Sequence, residues 1–436
     1  MTGFTTPGEL GTGPGSTGAA GATRRNARLA RGAWRLPAPA ILLAAWGGNH
    51  FSPLLLMYRQ LDGYSSVQVN LFFACYVLGL IPGFLLAGPL SDRHGRKRLV
   101  VAALALGILG SVILGTGSTH VVSMCLGRLV SGVSVAVAMV VGTSWIKELS
   151  QHDAGPASRA RRASLTLTAG FGLGAGVSGA LAQWGPAPTL TPYLLHIALS
   201  LAALPALLRA VETRTGTGDS RPLLADLRVP RAGRQRFLTR VVPMAPWVFS
   251  APALAFVVAP ALVSTRVGAD HVAFAALLAV VALCCGAGVQ PFAPLLARRT
   301  GGRPALVGLI LIAAATVLLA VDATVLSPAV TVLAAVLFGL GYGICIVSGL
   351  VEVQAIAEPR SLATLTGIYY SLTYLGFALP VLLSELSHLA SYRWLLSGVA
   401  ALCLASAGLS ARRDPTGADG DGSASANGRQ AVATRR

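Results

Sequence analysis

Gly88-Pro-Leu-Ser-Asp92-Arg-His-Gly95-Arg96-Lys97-Arg98 is a short, strongly basic stretch between two apolar runs, one from Val67 to Ala87 and one beginning at Leu99. About twenty helical residues, rising about 1.5 Å each, cross the roughly 30 Å hydrocarbon core of a bilayer. Positive loops are retained on the cytoplasmic side. The stretch therefore reads as a cytoplasmic hairpin joining two transmembrane helices, and the rest of the chain can be laid out from it.

Such apolar runs recur about twelve times, among them 39–58, 67–88, 240–263, 271–296 and 391–410. The 436 residues are 54% hydrophobic and 11% charged, whereas soluble proteins carry about 25% charge. No run shows the period-2 alternation of an outer-membrane barrel. The fold expected is all-α and integral to the membrane. Residues 1–38 form a disordered cytoplasmic tail, 39–210 a first six-helix bundle, 211–237 a cytoplasmic linker, 238–410 a second six-helix bundle and 411–436 a disordered cytoplasmic tail.

The net charge of +18 has a topological explanation. On this layout only Arg59, Arg266 and Arg393 fall in outer loops and Arg128 lies inside a helix; the other Lys and Arg occupy inner loops, tails or inner helix ends. An even number of crossings leaves both termini in the cytoplasm. The basic face would meet anionic headgroups of the cell membrane, and scattered basic loops without a recognition motif speak against nucleic acid. All six cysteines fall in apolar runs without C-x-x-C or Cys/His spacing, so neither disulfide nor metal is expected.

A weak echo of the hairpin, Leu296-Ala-Arg298-Arg299-Thr-Gly301-Gly302-Arg303, follows the eighth run about half a chain later. Arg298 stands where the first copy has Asp92, so a network built on that acid can exist only in the first half. Within the first copy, Gly88 lets another helix approach closely, and Asp92 has four basic residues around it as ion-pair partners.

The stretch fits G-x-L-a-D-r-x-G-r-k and resembles the loop between helices two and three of major facilitator superfamily transporters. The resemblance implies two pseudo-symmetric six-helix bundles with a substrate path between them. It also implies that Asp92 faces the start of helix eleven when the inner gate is closed. Pro359-Arg360-Ser361 looks like that start, with Ser361 as N-cap; a carboxylate there gains about 0.3–1 kcal/mol. Gly88, Asp92, Gly95, Arg96 and Ser361 are the expected conformational switch.

Helix four carries Leu126-Gly-Arg128-Leu-Val-Ser131-Gly132, similar to the superfamily's R-x-x-q-G motif. Arg128 lies about 12 Å from the outer end of its run, and a guanidinium at that depth must face a partner or a wet cavity. In proton-coupled exporters the matching arginine is tied to proton transfer; elsewhere it is structural. Helix one carries Trp46-Gly-Gly-Asn49-His50-Phe-Ser-Pro53, with His50 about 13 Å from the outer surface. The resemblance places helices one, four, seven and ten around the cavity, so Asn49, His50 and Arg128 are expected to share a polar layer. His50 is then the proton-carrier candidate, with a hydrogen-bonded packing role as the alternative. His196 in helix six has the same ambiguity.

Gly170, Gly174 and Gly179 of the fifth run put small residues on one face for packing, as Gly132 does in helix four. The run resembles the antiporter pattern g-x-x-x-G-P-x-x-G-G, but Ala175 and Ser178 depart from it, and antiport stays open. Trp46, Trp247, Tyr342, Tyr370 and Tyr374 are candidate cavity residues suited to a bulky, largely apolar solute. Pro53, Pro82, Pro252 and Pro380 should bend their helices.

The function expected is proton-coupled efflux of small amphipathic organic compounds by alternating access. The proton gradient would supply the energy, with no cofactor and a single chain as functional unit. The alternative is uptake or facilitated diffusion of a small polar solute. A non-transporting intramembrane enzyme or receptor-like protein is remote: H-E-x-x-H, G-x-S-x-G and G-x-x-x-x-G-K-[ST] are all missing from the sequence.

Overall fold

The computed structural model describes residues 32–151, 154–214, 233–357 and 362–411, and the regular elements among them are all helical. Twelve crossings follow in order. They are α1 (Ala33–Leu61), α2 (Val67–His94), α3 (Arg96–Thr116), α4 (Val121–Leu149), α5 (Ser158–Trp184), α6 (Thr191–Arg209), α7 (234–267), α8 (271–299), α9 (Pro304–Val325), α10 (Pro328–Ile356), α11 (Leu365–Leu386) and α12 (Tyr392–Ala411). The helices α7 and α8 belong to one helical run of 66 residues, Arg234–Arg299, about three times too long for a single crossing. The run reverses at Gly268, whose φ of 66° breaks it.

The two halves use one packing plan. In the first, α2 packs on α4, α3 on α4, α3 on α6 and α1 on α5. In the second, α8 packs on α10, α9 on α10, α9 on α12 and α7 on α11, which is the same set shifted by six helices. The halves meet along two seams, α2 against α11 and α5 against α8, and the sixfold shift exchanges these as well. Large apolar side chains such as Leu78, Leu109, Trp184, Val317 and Leu402 point outward. In hydrocarbon that exposure costs nothing, and close approach of backbones has to hold the helices together instead.

Glycine supplies that approach at matched places. A Cβ at Gly79 would overlap the Leu129 carbonyl and one at Gly132 the Tyr76 carbonyl, joining α2 to α4; Gly339 and Gly343 sit likewise on the Ala282 and Gly286 carbonyls, joining α8 to α10. Gly170 and Gly174 of α5 lie on the Leu42 and Trp46 carbonyls of α1, while Gly179 faces Ala276 of α8. The α5/α8 seam is thus smooth in its middle. At its ends it is hydrogen-bonded, by Ser164 to Gln290 at 2.8 Å and by Gln183 to the Ala269 carbonyl at 2.8 Å.

Several boundaries differ from those expected. The basic stretch is not a loop: α2 continues to His94, α3 starts at Arg96, and Gly95 alone connects them. Apolar counting stopped at the membrane edge, whereas the polar last turn stays helical through the Asp92–Arg96 pairing. Helix α1 starts at Ala33, inside the tail expected over 1–38, because Trp34 packs on the core and lies under Arg162 at 5.0 Å. Helix resumes at Arg234, inside the expected linker 211–237. Ser361 lies outside the described residues, as do 1–31, 215–232 and 412–436 of the expected tails and linker.

The prolines act unequally. The first helix tightens over Ser52–Leu54 around Pro53, α11 over Leu375–Ala378 just before Pro380, and α7 widens over Leu254–Val258 after Pro252. A ring without an N–H frees the carbonyl a turn earlier and unsettles the ladder. Pro82 sits within uninterrupted α2.

Candidate transport site

At the Arg-rich end, Gly95 takes φ 91°, a conformation that L side chains rarely adopt, and a Cβ there would also strike Glu212. That closeness has a purpose. The Glu212 carboxylate accepts from the first two amides of α3, those of Arg96 and Lys97, at 2.9 Å each. Helix N-termini leave such amides unpaired and carry partial positive charge, so a carboxylate there is stabilising. The Arg96 side chain, 8% exposed, donates to Ser91 at 2.8 Å and to Glu148 at 3.0 Å, and lies 3.3 Å from Asp92. Asp92 is also 3.3 Å from Arg214, beyond α6. Three residues of the expected switch, Asp92, Gly95 and Arg96, therefore form one cluster with Glu148, Glu212 and Arg214, all within the first half. Gly88 is buried near the end of α2. In the second half, Glu352 of α10 pairs with Arg236 at 2.7 Å and Arg240 at 3.5 Å.

Between the halves lies a cavity of about 30 Å³, enough to hold a water molecule or two. Its lining comes from α1 (Gly48, Asn49, Ser52), α2 (Phe73, Tyr76), α4 (Arg128), α5 (Phe171), α7 (Phe249, Pro252, Phe256), α8 (Leu283), α10 (Tyr342) and α11 (Tyr374, Phe377). Eight helices reach it, four from each half. Ser52 and Phe256 also line a second cavity of about 70 Å³ toward the opposite end, beside Arg59 and Tyr392. The free space is small because aromatic rings fill it: Phe249 stacks on Tyr374 at 4.0 Å and Phe377 on Phe249 at 5.5 Å.

Arg128 is fully buried at the cavity edge. Its guanidinium lies over Tyr76 at 4.0 Å, Phe51 at 4.6 Å and Phe73 at 5.7 Å, and Nη1 donates to the Gly48 carbonyl at 3.5 Å. Stacked rings stabilise a desolvated cation by about 2 kcal/mol or more. Asn49 bridges α1 to α5 by donating to the Phe171 carbonyl at 3.1 Å, and accepts from Ser52 at 2.8 Å.

Of the residues expected there, the structure brings Asn49, Arg128, Tyr342 and Tyr374 to the cavity. Trp46, Trp247 and Tyr370 stand outside its lining, Tyr370 stacking on Phe84 at the α2/α11 seam. His50 turns into the first half. Its ring meets Tyr193 edge-on at 4.9 Å and His196 at 5.2 Å, and both its nitrogens are buried without a hydrogen-bond partner. His196 is held firmly: Nε2 donates to the Leu43 carbonyl at 2.9 Å, which leaves Nδ1 to accept from Ser111 at 2.8 Å. The Tyr193 hydroxyl pairs with that of Tyr58 at 2.7 Å. Sequence reasoning missed Tyr76, Phe73, Phe249 and Phe377, since an aromatic in an apolar helix reads as packing. It also missed Glu148 and Glu212, whose partners are distant in the chain.

A family model of the Major Facilitator Superfamily matches residues 38–381, and the chain belongs to that superfamily. That membership makes it a multi-pass membrane protein of a transporter superfamily. Among curated relatives, a 3-(3-hydroxy-phenyl)propionate transporter of Escherichia coli K12 is 32% identical over 28% of this chain and 29% of its own length. Multidrug resistance protein 2 of Bacillus subtilis is 26% identical over 37% and 40%. The chain thus matches well under half the length of either. The solved structure of nucleoside transporter NupG superposes with a TM-score of 0.63 at 13% identity, covering 89% of this chain and all (100%) of that one; it shares the fold.

Proposed function

We propose that this transporter exports small amphipathic organic compounds in exchange for protons. The observation that carries the reading is the cavity on the seam between the halves, walled by aromatic rings and edged by one buried arginine. Aromatic walls take bulky apolar solutes without demanding one shape. Similarity to Multidrug resistance protein 2 of Bacillus subtilis supports efflux. His50, enclosed with both ring nitrogens unpartnered, is the proton carrier in this reading.

The Arg-rich end then faces the cytoplasm, where it meets anionic headgroups of the cell membrane, and both termini lie on that side. The chain works as a monomer, with no cofactor and no nucleic-acid partner. The Asp92–Arg96–Glu148 cluster braces the inner ends of α2, α3 and α4 within the first half, and in this reading the second half closes against that braced end.

A second reading, proton-independent facilitated movement of a small solute, is favoured by one fact: no Asp or Glu among the described residues lines the cavity. Dye transport into everted vesicles, with and without a pH gradient, separates the two. Accumulation that a protonophore abolishes supports exchange for protons; equal rates in both conditions overturn it.

A further inference from the structure

Arg128 is the fully buried cation of the cavity wall, and no acid on that wall answers its charge. Rings cover its faces and Nη1 leans on the Gly48 carbonyl. Its other donors, Nε and Nη2, have no hydrogen-bond partner among the described residues. Those two nitrogens make up one edge of the guanidinium. It is an edge whose parallel N–H bonds match the two oxygens of a carboxylate. Burying a charge with donors unmet is costly, and a site keeps such an arrangement where a ligand completes it.

Across the cavity stand Phe249, Tyr342, Tyr374 and Phe377, contributed by α7, α10 and α11. They carry no formal charge and offer stacking faces. We propose that the substrate is an organic anion whose carboxylate is held by the Nε/Nη2 edge of Arg128. Its aromatic or apolar body replaces the ring-to-ring stacking of Phe249, Tyr374 and Phe377 as the halves part. The closed cavity has room for little more than a water, so the anion enters the opened state. This inference rests on the cavity being the substrate path, but neither on the direction of transport nor on protons.

The test uses the full chain in nanodiscs and three matched probes: 1-naphthaleneacetate, its neutral amide and 1-naphthylmethylammonium. Binding is followed by calorimetry. The acid should bind between about 10- and 100-fold more tightly than the amide, the range a charge-assisted bidentate contact supplies. The ammonium should bind weakest of the three. Arg128→Gln should bring the acid down to the level of the amide, and Arg128→Lys should restore part of the preference. If Arg128→Gln does not fold, the ranking on the unaltered chain decides alone.

Equal binding of acid and amide, preference for the ammonium, or an unchanged acid/amide ratio in Arg128→Gln overturns the proposal. So does lack of binding by benzoate, 3-phenylpropanoate and 1-naphthaleneacetate up to millimolar concentration. Proton-driven export of cationic dyes together with amide-like binding of the acid would sink the anion assignment and leave the efflux reading standing.

Discussion

The two halves share a plan of helix pairs and differ in what they bury. The first encloses Arg128, His50, His196 and the Tyr58–Tyr193 pair. The second encloses aromatic rings and one carboxylate, Asp322, which is a cap. It accepts from the Ser327 amide at 2.8 Å and the Thr331 hydroxyl at 2.6 Å, where α9 hands over to α10. The glycines of the crossings survive in both halves because every crossing must satisfy the same backbone geometry. Charge differs between them: the buried arginine of the cavity wall comes from the first half and the facing wall is aromatic. On the proposed reading the first half offers a charge to grip and the second an aromatic face to lie against.

Arg128→Ala should have the largest effect, cutting transport in proteoliposomes by about 100-fold or more, since the wall loses its one buried charge. Tyr342→Phe, on the opposite wall, should change it by less than about threefold. Similar losses in the two variants would erase the asymmetry between halves.

The shared plan can be tested through its glycines. Gly79→Ala and Gly339→Ala each push a methyl into a carbonyl of the neighbouring helix, and thermal unfolding in detergent should show a loss of about 1–3 kcal/mol for each. Gly172, with nothing near its missing side chain, should accept alanine with no loss. Tolerance of alanine at Gly339 alone would show that the repeat is not held in the same way.

The Arg-rich ends should also part company. Glu148→Gln strips a partner from Arg96, whose side chain is 10% exposed, and should slow turnover about tenfold without loss of membrane-inserted protein. Arg236, partner of Glu352, has a side chain 43% exposed, and Glu352→Gln should cost less than about threefold. The reverse order would move the working lock to the second half. Smallest in rate is His50→Gln, which should leave downhill transport within about threefold while abolishing its dependence on pH and on a proton gradient. An unaltered pH profile would assign His50 to packing.

Much of the architecture was legible because hydrocarbon allows few solutions. Apolar length and arginine placement lead to twelve crossings and a basic end. Arg128 was legible for the same reason, as a charge at that depth needs an explanation. What stayed hidden depended on rotation about helix axes. His50 and Asn49 are neighbours in sequence, yet Asn49 meets the cavity and His50 meets α6. Successive residues point about 100° apart, and an almost uniformly apolar helix gives no signal for which direction faces the cavity. Glu148 and Glu212 were invisible because they act through Arg96 and the start of α3, far away along the chain.

The seam between α5 and α8 has one further consequence. At its middle the Ala276 methyl fills the space that a side chain on Gly179 would need, and Val280 lies against Gly176 in the same way, so the two helices approach closely there. The resistance to tilting sits at the two rims, in the Ser164–Gln290 and Gln183–Ala269 contacts, each worth about 1 kcal/mol. A joint closely packed at its centre and hydrogen-bonded at both rims fixes α5 and α8 as one of the two lines along which the halves are fastened together.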